Sequence, residues 1–270
     1  MLHGLFRVRQ FTQDDAHIFC EKDQIETQIS EVIDFIFKIY KTFGFEKFQI
    51  ELSTRPQKYI GDLHDWEISE LALEKVLKNK NIDYQLNPGD GAFYGPKIDF
   101  HITDCLKRSW QCGTVQLDFS MPERFNLEYT ASTGERKRPV MIHRALLGSM
   151  ERFIGILLEH YAGDLPLWLT PQYPRILPIS DKFISYCNTL KNKFENAGIS
   201  TEIDTRNEKI GKKIREGEKN KIPYLMIVGE KEASQGTISL RKRKIGDIGT
   251  FSVDEIIEKF KLEVASRNNS

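Results

Sequence analysis

Residues 5–12 alternate large apolar and polar side chains, the period-two signature of a strand, and this places Arg7 and Arg9 on one face. Ile25, Ile29, Val32, Ile33, Ile36, Ile39 and Tyr40 then recur at helical spacing, with Gly44 as a stop. Residues 48–52 read as a strand, and residues 66–79 as a helix carrying Leu71, Leu73 and Val76. Residues 97–103 and 114–119 read as strands around a polar turn region. Leu146, Leu147, Met150, Phe153, Ile154, Leu157, Leu158 and Tyr161 mark a long amphipathic helix. Antiparallel strand signals with helices packed on them predict an α+β portion for residues 1–165.

The pattern changes after Gly163-Asp164-Leu165-Pro166, a turn signal followed by Pro171 and Pro174. Short strands are predicted at 175–179, 201–204, 224–228 and 237–240, and helices at 182–197, 208–220 and 253–265. This alternation predicts a separate α/β domain over residues 166–270, with a partly parallel sheet.

The chain has 270 residues, 40% of them hydrophobic and 29% charged, which suits one large or two modest globular domains with real cores. No run approaches the roughly 18 apolar residues of a membrane span, and the N-terminus lacks a signal-peptide pattern. Cys20, Cys105, Cys112 and Cys187 form no CxxC pair, so reduced thiols in a cytoplasmic protein are expected rather than a disulfide framework. Net charge is zero, but residues 167–270 hold 19 Lys+Arg against 14 Asp+Glu. That excess is compatible with nucleic acid, where cations displace counterions from phosphates, but alone it favours a solvated surface.

Candidate chemistry concentrates in two strings. In Arg7-Val8-Arg9-Gln10-Phe11-Thr12-Gln13-Asp14-Asp15-Ala16-His17-Ile18-Phe19-Cys20, an Arg fork suits phosphate oxygens bidentately, and Phe11 offers a ring to a nucleobase. Gln13, Asp15 and His17 share a face by period two. In Pro139-Val140-Met141-Ile142-His143-Arg144-Ala145-Leu146-Leu147-Gly148-Ser149-Met150-Glu151-Arg152, a strand runs into a helix N-terminus. There Ser149 and Arg152, three apart, bring a hydroxyl and a guanidinium to one face beside unpaired N–H groups. Between them lie a glycine-rich turn, Gly91-Ala92-Phe93-Tyr94-Gly95-Pro96-Lys97, and the string Trp110-Gln111-Cys112-Gly113-Thr114-Val115-Gln116-Leu117-Asp118.

The first string resembles motif 2 of the class II aminoacyl-tRNA synthetases in its threonyl-tRNA synthetase version, and the second resembles motif 3. The strings between them are typical of the same family. Asp204-Thr205-Arg206-Asn207-Glu208-Lys209-Ile210-Gly211-Lys212-Lys213-Ile214-Arg215-Glu216 is similar to the anticodon-binding domain shared by threonyl-, prolyl-, glycyl- and histidyl-tRNA synthetases.

The resemblance implies activation of L-threonine by ATP with Mg2+, then transfer to tRNA(Thr). Arg7 and Arg152 are the implied catalytic arginines on the phosphates, with Phe11, Lys97, Gln111 and Ser149 completing the ATP site. Gln13, Asp15, Tyr94 and Gln116 are implied around threonine, and Asn207, Glu232 and Arg241 on anticodon bases. Lys212, Lys213 and Lys221 are expected on phosphates. His17 and His143 are implied ligands of Zn2+, whose third ligand is a cysteine preceding motif 2 in the family. Motif 1, which builds the family homodimer, the start of motif 2 and that cysteine have no counterpart in this sequence. Little threonine-dependent ATP–pyrophosphate exchange is therefore expected of the chain alone. The alternative is an inactive fragment that keeps anticodon binding.

Overall fold

The structure is a computed structural model and describes residues 2–267. It divides into two compact units, residues 2–160 and 161–267.

In the first unit the elements are β1 (Ala16–Cys20), α1 (Ile25–Thr42), β2 (Gln49–Ser53), α2 (Leu63–Asn79), β3 (Gln85–Asn87), β4 (Lys97–Thr103), β5 (Ser109–Asp118), α3 (Ser120–Arg124), β6 (Tyr129–Thr130), β7 (Arg136–Lys137), β8 (Val140–Ala145) and α4 (Met150–His160). A six-stranded sheet runs β1-β8-β5-β4-β2-β3, antiparallel except for the β2–β3 pair. The apolar stripe predicted for α1 is its buried stripe: Ile29, Ile33, Ile36 and Tyr40 are fully buried. At its end the Tyr40 hydroxyl accepts the Gly113 N–H at 2.8 Å. A side chain at Gly113 would meet that hydroxyl at 2.9 Å, so the close approach of α1 to β5 requires glycine here.

Two expectations fail in this unit. Residues 5–12 form no strand. The chain turns at Gly4, His3 bridges Arg7, and the first strand starts at Ala16. The alternating apolar residues are used differently, with Phe6 packing on Trp110 at 4.9 Å between ring centroids. Arg7 and Arg9 therefore do not stand side by side on a strand face. The long helix also starts later than its apolar pattern suggests, at Met150, because the N–H groups of Leu146, Leu147 and Gly148 are captured by the Asp14 carboxylate.

The second unit contains β9 (Arg175–Pro178), α5 (Ile184–Asn196), β10 (Glu202–Ile203), α6 (Ile210–Lys219), β11 (Tyr224–Val228), α7 (Glu230–Gln235), β12 (Thr237–Lys242), β13 (Gly246–Ser252) and α8 (Val253–Ser266). Its sheet order is β10-β9-β11-β12-β13, with β10, β9 and β11 parallel and the last two strands antiparallel. The core packs Leu190, Phe194, Ile256 and Phe260 against Ile176, Met226, Ile238 and Leu240. On the other face Ile210 and Ile214 of α6 cover Leu177 and Leu225. β13 is absent from the sequence reading because Gly246 and Gly249, both with positive φ, dilute its strand signal. Among the described residues, no helix is long and apolar enough to cross a membrane.

Candidate functional site

Strand register lines up four of the candidate residues. Lys97 on β4 is paired with Gln116 on β5, Gln116 with His143 on β8, and His143 with His17 on β1. Directly paired residues point to the same side of a sheet, so the four form one row across adjacent strands. At about 4.8 Å per strand the row spans roughly 14 Å. The neighbouring apolar positions Ile98, Val115, Leu117 and Ile142 point the other way and are fully buried.

Gln111 poses a parity problem, because a regular strand would send it to the face opposite Gln116. The β4–β5 register shifts between Phe100 and His101, leaving Cys112 as the extra residue of a bulge. The bulge returns Gln111 to the face of Thr114 and Gln116. There Asp99, 2% exposed, accepts hydrogen bonds from Lys97 Nζ (2.6 Å), Gln111 Nε2 (2.6 Å) and Thr114 Oγ1 (2.8 Å). Gln116 Nε2 donates to Thr114 Oγ1 at 3.1 Å, and the Tyr94 hydroxyl donates to Gln116 Oε1. Burial, followed by the charges of Asp118, Asp15 and Asp99, pushes the Tyr94 hydroxyl up to about 12, so it remains a donor at neutral pH.

Beside this network, a cavity of about 280 Å³ is lined by residues that include Arg7, Phe11, Gln13, Gln111, Ser149 and Arg152. Arg152 is aimed by two carbonyls, with Nε donating to Phe6 O (3.0 Å) and Nη1 to Gln111 O (2.7 Å). Two carboxylates fasten the loop carrying Arg7 to Asp15 onto the start of α4. Asp14 takes the three N–H groups named above, at 2.8 to 3.2 Å, and Glu151 accepts the Thr12 N–H at 3.0 Å. The Ser149 hydroxyl accepts the Arg152 N–H and donates to Glu151. Backbone N–H groups, its own and that of Thr12, hold the Glu151 carboxyl below its usual range. Phe11 is 53% exposed at the cavity rim. Asp15 lies 4.0 Å from His17 Nε2.

The sequence reading missed Asp14, Asp99, Thr114, Asp118 and Glu151. Asp14 and Asp118 lie inside strings already singled out, but nothing in a one-dimensional pattern marks a carboxylate as a clamp. The buried Asp99, flanked by the apolar Ile98 and Phe100, was the legible signal, since charged residues are seldom buried unless paired.

In the second unit Asn207 follows the end of β10, and Glu232 lies in the first turn of α7, where its carboxylate accepts the Gly229 N–H at 2.9 Å. Arg241 stands opposite Leu225, toward the other end of β11, next to a bulge. Its Nε is buried with no hydrogen-bond partner among the described residues. Lys213 corrects an expectation: it is 4% exposed and donates to Asp204 O (2.9 Å) and Pro178 O (3.2 Å), so it ties β9 to β10 and is shut away from any phosphate. Lys221 donates to the Ala162 carbonyl, and Lys212 to Glu208.

Residues 1–161 match the family described as tRNA synthetase class II core domain (G, H, P, S and T). The chain belongs to this class II family. Residues 175–263 match the anticodon binding domain family. A threonine–tRNA ligase of Finegoldia magna is 54% identical over 98% of the chain, which spans 42% of that relative's length. A crystal structure titled as the RNA binding domain of threonyl-tRNA synthetase from Cryptosporidium parvum is similar with a TM-score of 0.92 and 42% identity, covering 99% of this chain and 66% of that one. A putative threonyl-tRNA synthetase from Aeropyrum pernix gives a TM-score of 0.81 at 25% identity, covering 100% and 66%.

Within the class II core, the two histidines carry the question of metal. Their rings are 4.7 Å apart, edge to face. His143 Nε2 is bonded to Asp118 at 2.9 Å, and Asp118 is fully buried, with its other oxygen capping the N–H groups of Ser120 and Met121. A carboxylate on one imidazole nitrogen is the usual outer support of a metal-binding histidine. Among the described residues no group of three His, Cys, Asp or Glu side chains is gathered here. Cys20 lies three positions from His17, on the opposite face of β1, and burial pushes the Cys112 thiol up to about 12, away from the thiolate a metal needs. The residues present thus fit two of the three protein ligands of an open zinc site.

Proposed function

We propose that this chain is a truncated form of a threonine–tRNA ligase, supplying ATP- and threonine-binding parts of the catalytic domain together with the anticodon-binding domain. Residues 1–165 are assigned to the class II catalytic domain and residues 166–270 to anticodon binding. The observation that carries the reading is the row Lys97–Gln116–His143–His17, set beside the cavity that gathers Arg7, Phe11, Gln13, Gln111, Ser149 and Arg152.

ATP, with its own Mg2+, occupies that cavity. Phe11 stacks on adenine, Lys97, Gln111 and Ser149 bind the nucleotide, Arg7 holds the phosphates and Arg152 uses its remaining Nη2 donors on the γ-phosphate. Gln13, Asp15, Tyr94 and Gln116 surround threonine at the middle of the row. A carboxylate oxygen of threonine then attacks the α-phosphorus in line, pyrophosphate leaves, and the tRNA 3′-hydroxyl takes the threonyl group with release of AMP. Positioning and charge neutralisation carry such a reaction. His17 and His143 would hold two positions on a zinc ion, which when bound would supply a Lewis-acid anchor for threonine.

The test is a pair of non-hydrolysable adenylate analogues, threonyl- and valyl-sulfamoyl adenosine. A site built to bond a substrate hydroxyl rejects the analogue that lacks it, and the zinc-loaded chain should prefer the threonyl compound by at least 100-fold. Equal affinity for the two refutes the threonine assignment. The second reading is anticodon recognition without catalysis. It is favoured by the second unit's separate core and its own family match. A chain that binds neither analogue but still retains threonine tRNA supports it.

A further inference from the structure

Asp99 carries no ligand-binding role in the reading above, yet its carboxylate meets donors from three side chains that line or border the site. We infer that Asp99 is a positioning residue that couples the nucleotide-binding side chains to the amino-acid-binding ones through the hydroxyl of Thr114. The inference rests on the proposed function and adds a connection between its two subsites.

The direction of each hydrogen bond follows from what each group can do. The Asp99 carboxylate has only acceptors, so Lys97, Gln111 and Thr114 all donate to it. Thr114 has one proton, and giving it to Asp99 leaves only lone pairs for Gln116. Gln116 must therefore present Nε2 to Thr114, at 3.1 Å, which turns Oε1 toward the Tyr94 hydroxyl. Tyr94 spends its proton on Oε1 and offers lone pairs to the donors of an amino-acid ammonium or hydroxyl. A single buried carboxylate thus fixes the polarity of every step from Lys97 to Tyr94. Phosphate arriving at Lys97 competes with Asp99 for that ammonium, which leaves the carboxylate more strongly bound to Gln111 and Thr114. The bulge at Cys112 is what lets Gln111 and Thr114 reach the same carboxylate oxygen. A purely structural ion pair between Lys97 and Asp99 needs neither the bulge nor the threonine.

The test uses Thr114→Val, which keeps the shape and the Lys97–Asp99 pair but breaks the link to Gln116. Threonine affinity is measured with and without Mg2+ and α,β-methylene-ATP. In the wild type the nucleotide is expected to tighten threonine at least about fivefold, the low end of ordinary coupling. In Thr114→Val that factor, the ratio of threonine affinities with and without nucleotide, should fall below about twofold. A wild-type factor near one, or an undiminished factor in the variant, overturns the proposal. If neither ligand binds the wild type, the proposed function fails for this chain, and the ligand-free protein decides the positioning role. Asp99→Asn and Thr114→Val should each move the side-chain amide resonances of both Gln111, which shares the carboxylate oxygen with Thr114, and Gln116. Gln116 resonances unmoved in both variants overturn it.

Discussion

The two units hold their candidate residues in opposite ways. In residues 2–160 the polar side chains are fixed by one another before any ligand arrives: Asp99 gathers Lys97, Gln111 and Thr114, and Asp14 and Glu151 lock a loop onto α4. In residues 161–267 the three candidates share no such frame. Asn207 and Glu232 each lie four residues past the ends of β10 and β11, while Arg241, paired with Leu225, lies three strand positions back from the Val228 end of β11, roughly 10 Å at about 3.3 Å per residue. Bond-making between small molecules needs reacting atoms held in near-attack geometry, which rewards a pre-arranged network. Single-stranded bases are splayed apart and read one by one, which rewards dispersed donors and acceptors. On this account Arg241 meets a different base from Asn207 and Glu232.

If the contrast is right, substitutions in the two units should differ in kind. The largest effect is expected of Arg152→Ala, which removes a charged donor from the cavity, its anchor to the Phe6 carbonyl and its anchor to the Gln111 carbonyl of β5. Mg2+–ATP affinity should fall by about 2–3 kcal/mol, read by calorimetry, with tRNA binding unchanged. Tyr40→Phe leaves the buried Gly113 N–H without its acceptor, and chemical denaturation should show a loss of about 1–3 kcal/mol. Arg241→Ala should weaken threonine-tRNA binding by about 1–3 kcal/mol and lower the preference over a tRNA with another anticodon, measured by filter binding. Lys212→Ala should weaken both tRNAs alike and reduce the salt slope by about one, whereas Lys213→Met should leave the slope intact and appear only in stability. Equal salt slopes for Lys212→Ala and Lys213→Met would break the contrast between a surface and an interior lysine.

The smallest effect is one of pH. The Arg206 guanidinium beside Asp204, which bonds it at 2.5 Å, holds the Asp204 carboxyl below the usual carboxylate range. A depressed carboxyl stabilises the fold fully above its unfolded value of about 3.9 and loses that contribution as pH falls through the lower folded value. Thermal unfolding of the second unit should therefore show a decline below about pH 4 that Asp204→Asn flattens.

The elements with strong periodicity were legible in the sequence. The α1 stripe from Ile25 to Tyr40 and the strands at 97–103 and 224–228 needed only their own spacing. What was not legible depended on partners distant in sequence. The alternation of residues 5–12 was genuine, but Phe6 spends it on Trp110 rather than on a neighbouring strand. Leu146 and Leu147 have helical spacing, yet Asp14, more than 130 positions earlier, holds their N–H groups in a loop. Candidate site residues could be named from resemblance, but not their arrangement. Gln111 and Gln116 reach one face only through the bulge at Cys112, and His17 and His143 meet only because β1 pairs with β8. Lys213 shows the reverse error, since charge suggested a surface that burial denies.

The proposed nucleotide site lies between the Arg7–Asp15 loop, β5 and the start of α4. Titration of 15N-labelled protein with Mg2+–ATP tests it most directly. Saturable shifts are expected of the backbone resonances of Arg7, Phe11, Gln111, Ser149 and Arg152, with Asn207, Glu232 and Arg241 unmoved. Shifts confined to the second unit, or none at millimolar nucleotide, would contradict it.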